Sequence, residues 1–234
     1  AVDARAAVLS PDERARAAQQ QRAGDGGRWA VARARLRQVL AAYTSCSPGA
    51  LRFAVDEAGK PRLAGRAAGG ANARAGLDAG AGGDDTASGD LDFNLSHCDG
   101  LALVAVAAAG RVGVDVEAVR PRPALAAIAA RYFDPAEKAY LASLGEAARA
   151  EAFYALWTAK EAFTKAVGAG LSAGFRRFAV VVEADGALAL GPGADRVAKG
   201  DWTLCRLPVG PGYAGALAVD RAQVAVSCFD GSDR

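Results

Sequence analysis

Ser10-Pro11-Asp12-Glu13 and, 124 residues later, Asp134-Pro135-Ala136-Glu137 open two stretches of the chain in the same way. Each begins with an oxygen-bearing side chain that can accept a free backbone N–H. A proline suited to the first helical position follows, then an acid in the first turn. A second match joins Arg52-Phe53-Ala54-Val55 to Arg177-Phe178-Ala179-Val180 at a separation of 125, each running into an acidic turn with glycine (Asp56 to Gly59, Glu183 to Gly186). Two matches at nearly one offset predict an internal duplication. Between them each half carries a helical stretch, Trp29 to Ala42 in the first and Ala150 to Val167 in the second. At the offset of 125, Leu36 falls opposite Glu161 and Leu40 opposite Lys165. The first helix is therefore expected to support and the second to carry chemistry.

Working outward, 234 residues with an apolar fraction of 52% suffice for a buried core in one large or two small domains. The abundance of Ala and Gly reads as a bias of composition. A net charge of +2 is too small to imply a nucleic-acid-binding surface, though a local basic groove for a phosphorylated ligand stays open. Cys46, Cys98, Cys205 and Cys228 lack CxxC spacing, so neither a zinc cage nor a disulfide framework is indicated, and a reducing cytoplasm is expected. Asp3, Arg5, Asp12, Glu13 and Arg14 interrupt any signal-peptide core. No apolar run reaches the length of about 18 residues that a transmembrane helix needs. With no Met in the chain, part of the native N-terminus is expected to be missing.

The stretch Ala64 to Asp90, rich in Ala, Gly and Asp without apolar periodicity, is expected to be a flexible loop. After it, Leu91 to Ser96, Leu101 to Ala107 and Val112 to Glu117 read as strands, and a further pair is expected at Trp202 to Leu207 and Gly215 to Asp220. Arg120-Pro121-Arg122-Pro123 ends the third strand and leads into a helical second half.

Three segments hold residues suited to chemistry. Along Val112 to Glu117, alternation places Gly113, Asp115 and Glu117 on one face, so two carboxylates share a face beside a glycine. Hard oxygen ligands of this kind suit magnesium, which takes one or two carboxylates and completes its shell with waters and phosphates. Taken alone, the strand equally describes an amphipathic edge with solvated acids. In Trp157-Thr158-Ala159-Lys160-Glu161-Ala162-Phe163-Thr164-Lys165, Trp157, Glu161 and Lys165 lie along one helical face, and Lys160 adds positive charge on an adjacent one. An exposed Glu–Lys pair beside a core Trp fits that pattern as well. Phe93-Asn94-Leu95-Ser96-His97 ends a strand in a hydroxyl and the one His of the chain, where a ligand could be met.

Together and in this order, Asn94-Leu95-Ser96-His97, Gly113-Val114-Asp115-Val116-Glu117 and Phe153 to Lys165 resemble the signatures of the Sfp-type 4′-phosphopantetheinyl transferases. Gly59-Lys60-Pro61, Arg131-Tyr132-Phe133 and Gly168-Ala169-Gly170-Leu171 extend the resemblance over about residues 10 to 220. It implies an α+β pseudodimer of two similar halves, residues 1–111 with the flexible loop and residues 112–234 with the metal site, the active site lying in the cleft between them. It also implies a magnesium-dependent enzyme that moves 4′-phosphopantetheine from coenzyme A to a serine of an apo acyl or peptidyl carrier protein, releasing adenosine 3′,5′-bisphosphate. By the same resemblance Asp115, Glu117 and Glu161 would hold the metal, and Glu161, Lys165 and His97 would be catalytic, with Glu161 as candidate base. Arg16, Lys60, Ser96, His97, Lys160 and Lys165 would contact coenzyme A. Arg14 is a weaker contact, while Glu13 and Trp29 depart from the family pattern around the 3′-phosphate. A monomer in the cytoplasm, serving fatty acid, polyketide or nonribosomal peptide synthesis, completes the expectation, with an inactive coenzyme A- or carrier-binding paralogue as the alternative. A magnesium-dependent hydrolase of nucleotide diphosphates is the second alternative. Extending the duplication places the counterpart of the Asp115 strand about nine residues before Ala1, so the first half is expected to lack its opening strand.

Overall fold

Both proline-led signatures start helices. Ser10 caps one and Asp134 the other, and in each the acid three residues on reaches back, Glu13 accepting from the Ser10 N–H and Glu137 from the Asp134 N–H. Such reciprocal caps satisfy N–H groups that a helix start otherwise leaves without partners. The structure is a computed structural model that describes residues 7–19, 25–57, 59–64, 91–169 and 174–231. The expected flexible loop lies, apart from Ala64, outside the described residues, as do residues 1–6, on which the expectation of a missing first strand bears.

Up to residue 107 the order is α1 (Pro11–Ala18), α2 (Asp25–Thr44), a 3-10 turn (Pro48–Ala50), β1 (Phe53–Val55), β2 (Pro61–Leu63), β3 (Asp92–Cys98) and β4 (Leu101–Ala107). Then follow β5 (Val112–Ala118), α3 (Ala124–Tyr132), α4 (Pro135–Ser143), α5 (Glu146–Val167), a second 3-10 turn (Phe175–Arg177), β6 (Val180–Val182), β7 (Leu188–Leu190), α6 (Ala194–Val197), β8 (Thr203–Arg206) and β9 (Tyr213–Val219). The fold is α+β, and the run of capped helix, long helix, 3-10 turn, short hairpin and longer hairpin occurs twice. The turns and short hairpins register at an offset of 127, Pro48 with Phe175 and Phe53 with Val180. Pairing Phe53 with Phe178 from the sequence was therefore two residues out. A slip of two keeps every side chain on its own face of a strand, which is why the pattern looked right.

The repeat extends to a buried charge in each half. Arg37, from α2, bonds Glu13 and donates to the carbonyls of Pro48 and Leu51. Lys160, from α5, lies 3.0 Å from Glu137 and donates to the carbonyls of Phe175 and Phe178, 127 residues on from the other pair. Each cation thus ties a helix cap, a long helix and a 3-10 turn together, and removing one would leave buried acceptors unmet. Leu36 and Leu40 fill the core of the first half with Leu51 and Phe93, as expected of a supporting helix. In the second half Phe133 stacks on Phe153 and Phe153 on Trp157, so Trp157 belongs to an aromatic core.

The three-stranded sheet runs β5-β9-β8, all antiparallel, and β3 pairs with β4. One face of the larger sheet, with Ala216 and Ala218, meets α5. The other face, Val112, Val114, Leu217 and Val219, meets Leu103, Ala105 and Ala107 of β4. Gly113 sets the approach of α5: a Cβ there would stand 2.0 Å from the Ala162 carbonyl oxygen and 2.5 Å from the Ala166 nitrogen. Neither backbone atom can yield without moving the helix. Gly113→Ala is expected to cost about 3 kcal/mol, the upper end for overpacking, read as a lowered denaturant midpoint. A loss below about 1 kcal/mol would show that strand and helix can part without consequence.

Candidate active site

The short distance that Gly113 permits brings the acids of β5 under α5. On β5, Gly113, Asp115 and Glu117 share the face turned to the helix, and on α5 Glu161 and Lys165 stand one turn apart. The Lys165 ammonium meets Asp115 Oδ1 at 2.6 Å and reaches Ser96 Oγ at 3.2 Å. Ser96 in turn donates to Asp115 Oδ1 at 2.8 Å. Asp115 is buried, and its second oxygen, Oδ2, has no hydrogen-bond partner.

Three carboxylates then face one ammonium. Burial, followed by repulsion from Asp115, pushes the Glu161 carboxyl up to about 7, against the pull of Lys165. Burial and Asp115 likewise raise Glu117. A group poised near neutrality is suited to accept or release a proton at working pH. Among the described residues no three His, Cys, Asp or Glu side chains are already gathered as a metal cage, and the cation at Asp115 is Lys165. The orphaned Asp115 Oδ2 and the surplus of negative charge nonetheless fit a divalent cation, which would supply the missing partner and lower both raised acids.

Asp115, Ser96 and Lys165 are brought into direct contact, with Glu117 and Glu161 beside them in charge range. Lys160 is not in the site. Its ammonium is fully buried against Glu137 and two carbonyls, because its position one residue before Glu161 turns it about 100° around α5, away from β5. Lys60 is buried too, held by Asp92 Oδ2 at 2.5 Å and the Val112 carbonyl at 2.9 Å, which leaves its ammonium engaged between β3 and β5. His97 is exposed and, as the neighbour of Ser96 on a strand, projects to the other face of β3. Arg16 is exposed on α1 with its guanidinium 5.4 Å from the centre of the Trp29 ring, so two residues singled out around the 3′-phosphate touch each other. Glu13, the departure from the family pattern, serves the cap and the Arg37 pair.

Sequence reasoning missed a set of scaffolding residues on β3. Asp92, Asn94, Ser96 and Cys98 accept hydrogen bonds from the backbone N–H groups of Val112, Val114, Val116 and Ala118, each partner lying 20 residues on. The signal was present as a polar residue at every second position of a strand, alternating with Phe93 and Leu95.

The raised Glu161 makes stability depend on pH in a defined direction. Between the ordinary value of 4.5 and about 7 the folded chain keeps a proton that the unfolded chain has lost. Stability of the metal-free protein therefore falls as pH rises through that window and levels off above it. The Tm is expected to be lower at about pH 8 than at about pH 6, with a smaller difference in Glu161→Gln. An equal pH dependence in variant and wild type would remove Glu161 as its source.

Comparison with known proteins bears on the same residues. Residues 111–218, which contain β5, α5 and all of β9 but Val219, match the family described as the 4′-phosphopantetheinyl transferase superfamily. The 4′-phosphopantetheinyl transferase HetI of Nostoc sp. is 35% identical over 167 residues, covering 71% of this chain and 62% of that protein. A Synechocystis sp. relative is 35% identical over 171 residues, 73% of this chain and 61% of that protein. The chain thus spans about three fifths of the length of these two relatives. The 4′-phosphopantetheinyl transferase Sfp of Bacillus subtilis is 25% identical over 182 residues, covering 78% of this chain and 70% of that protein. Among solved structures, a holo-(acyl-carrier-protein) synthase of Bacillus anthracis in complex with coenzyme A aligns with 47% of this chain and 93% of its own at 22% identity and a TM-score of 0.40. In residues 111–218 the chain matches the 4′-phosphopantetheinyl transferase superfamily, and over 71% to 78% of its length it is similar to proteins named as such transferases.

Proposed function

We propose that the chain transfers 4′-phosphopantetheine from coenzyme A to a serine hydroxyl of an apo acyl or peptidyl carrier protein, with magnesium, and releases adenosine 3′,5′-bisphosphate. The observation that carries this reading is the buried Asp115 with one oxygen on Lys165 and the other unpartnered, beside two acids of raised pKa. Asp115, Glu117 and Glu161 are the residues that would hold magnesium, which when bound neutralises diphosphate charge that repels an incoming oxygen.

The chain's own groups account for the proton and the leaving group. Glu161, one turn from Lys165 and beside Asp115, accepts the proton of the attacking serine, directly or through water. The serine oxygen forms a bond to the phosphorus that bears the pantetheine arm, and the bond from that phosphorus to the bridging diphosphate oxygen breaks. Lys165, within reach of Ser96 and Asp115, stabilises the phosphate oxygen that leaves. His97 and Arg16 lie exposed on β3 and α1, accessible to the phosphates of coenzyme A, whereas Lys60 and Lys160 act by holding the backbone. The site lies where residues 1–111 meet residues 112–234, the two halves we take as the units of the fold, so one chain suffices and a monomer is expected. Free cysteines among the described residues fit a reducing cytoplasm, and no described helix is long and apolar enough to cross a membrane.

Mass spectrometry of an apo carrier protein incubated with the chain and coenzyme A is expected to show the gain of one phosphopantetheine that depends on magnesium, and Glu161→Gln is expected to abolish it with the fold intact. No gain across a panel of carriers would leave a binding protein; release of adenosine bisphosphate without an acceptor would indicate a hydrolase. His97→Ala is expected to raise the KM for coenzyme A more than it lowers kcat. An unchanged KM would remove His97 from the coenzyme A contacts.

A further inference from the structure

We propose that Asn94 is a positioning residue whose bond to the Val114 N–H fixes Asp115 against α5, so that the N-terminal half sets the geometry of the acid cluster. The proposal rests on the reading of Asp115, Glu117 and Glu161 as a divalent-cation site.

β5 has two edges. Residue by residue its pairing with β9 uses one of them, and Val119 continues that side by donating to the Gly212 carbonyl. The N–H groups of Val112, Val114, Val116 and Ala118 point the other way, where a further strand would ordinarily pair. Among the described residues no backbone group pairs with them. Side chains of β3 take its place: Asp92 at 2.7 Å, Asn94 at 2.9 Å, Ser96 at 3.4 Å and Cys98 at 3.3 Å. The carbonyls of Val112 and Val114 on the same edge accept from Lys60 and Lys165. The position of β5 along and across the junction is therefore set by side-chain bonds, which a single substitution can cut one at a time.

Among these rungs Asn94 is the informative one. Asp92 also holds Lys60, Ser96 also holds Asp115 and Lys165, and Cys98 also interacts with Glu117. Asn94 is uncharged and buried, and it accepts from the N–H of Val114, the residue immediately before Asp115. Severing it removes neither a charge nor a contact to the site acids. What changes is the freedom of the strand beneath them, and a ligand whose backbone is loosened binds metal more weakly because the site must be ordered on binding.

The test compares Asn94→Leu, which lacks the acceptor, with Asn94→Asp, which keeps it at the same length, using Mn2+ affinity by electron paramagnetic resonance on the full chain without coenzyme A or carrier. Thermal unfolding is recorded alongside. Asn94→Leu is expected to weaken Mn2+ binding by about tenfold or more, and Asn94→Asp to bind at least as tightly as wild type. A folded Asn94→Leu with wild-type Mn2+ affinity overturns the proposal. Should Asn94→Leu fail to fold, amide hydrogen exchange on the wild type decides: Mg2+ is expected to slow exchange at Val114 more than at Val180, whose N–H is held by Glu137 outside the β3–β5 junction. Equal slowing at both overturns the proposal. A wild type that binds no Mn2+ sinks the cation reading and the proposal together. Mn2+ binding that responds to Asn94 in a chain without transfer activity sinks the transferase reading alone.

Discussion

The edge of β5 that no described strand pairs is the constraint on which the site depends. A buried edge must have its N–H and carbonyl groups satisfied. Here the partners are Asp92, Asn94, Ser96 and Cys98 on one side of the exchange, and Lys60 and Lys165 on the other. Side chains hold the strands farther apart than a ladder of backbone bonds would. That spacing lets Ser96 and Lys165 reach the Asp115 carboxylate from within the junction. Structural satisfaction and the chemistry of the site use the same atoms.

The duplicated cap explains why neighbours on one helix have separate duties. In each half a capping Glu, a buried cation and two carbonyls of a 3-10 turn close one network, around Arg37 in the first half and Lys160 in the second. Anchoring α5 through Lys160 fixes the rotation of that helix. Rotation then decides which residues face β5, and Glu161 and Lys165 do so because Lys160 is held away from it. In α2, with Arg37 in the place of Lys160, Gln38 and Ala42 stand where α5 carries Glu161 and Lys165, so the first half has the scaffold without the charge.

Electrostatics distinguish the two kinds of buried acid. Glu137 is raised by burial but sits in a closed network with Lys160 and the Val180 N–H. Glu161 and Glu117 are raised with too little positive charge to answer them, and Asp115 keeps an unpartnered oxygen. Incomplete compensation of buried charge costs stability and is retained where a ligand completes it.

Much of this was legible in the chain itself. Proline-led caps with an acid three residues on specified two helix starts because the capping box is local chemistry. Alternation along Val112 to Glu117 specified that Asp115 and Glu117 share a face with Gly113, and helical spacing aligned Glu161 with Lys165. The order of the motifs pointed to the family that residues 111–218 match. Local rules could not say what lies opposite a face. Lys160 and Lys60 read as ligand contacts because a lysine in a motif is usually solvated, and packing alone made them internal braces. The offset was read two residues short because period-two patterns are blind to an even slip. The β3 rungs were visible only as alternating polar residues until the fold set them 20 positions ahead of the strand they serve. The sequence by itself determined which side chains stand together on each element; which elements meet, and therefore which charges are buried in pairs and which are left poised, was decided by tertiary structure, since burial and partnership are properties of surfaces brought together and not of neighbours along a chain.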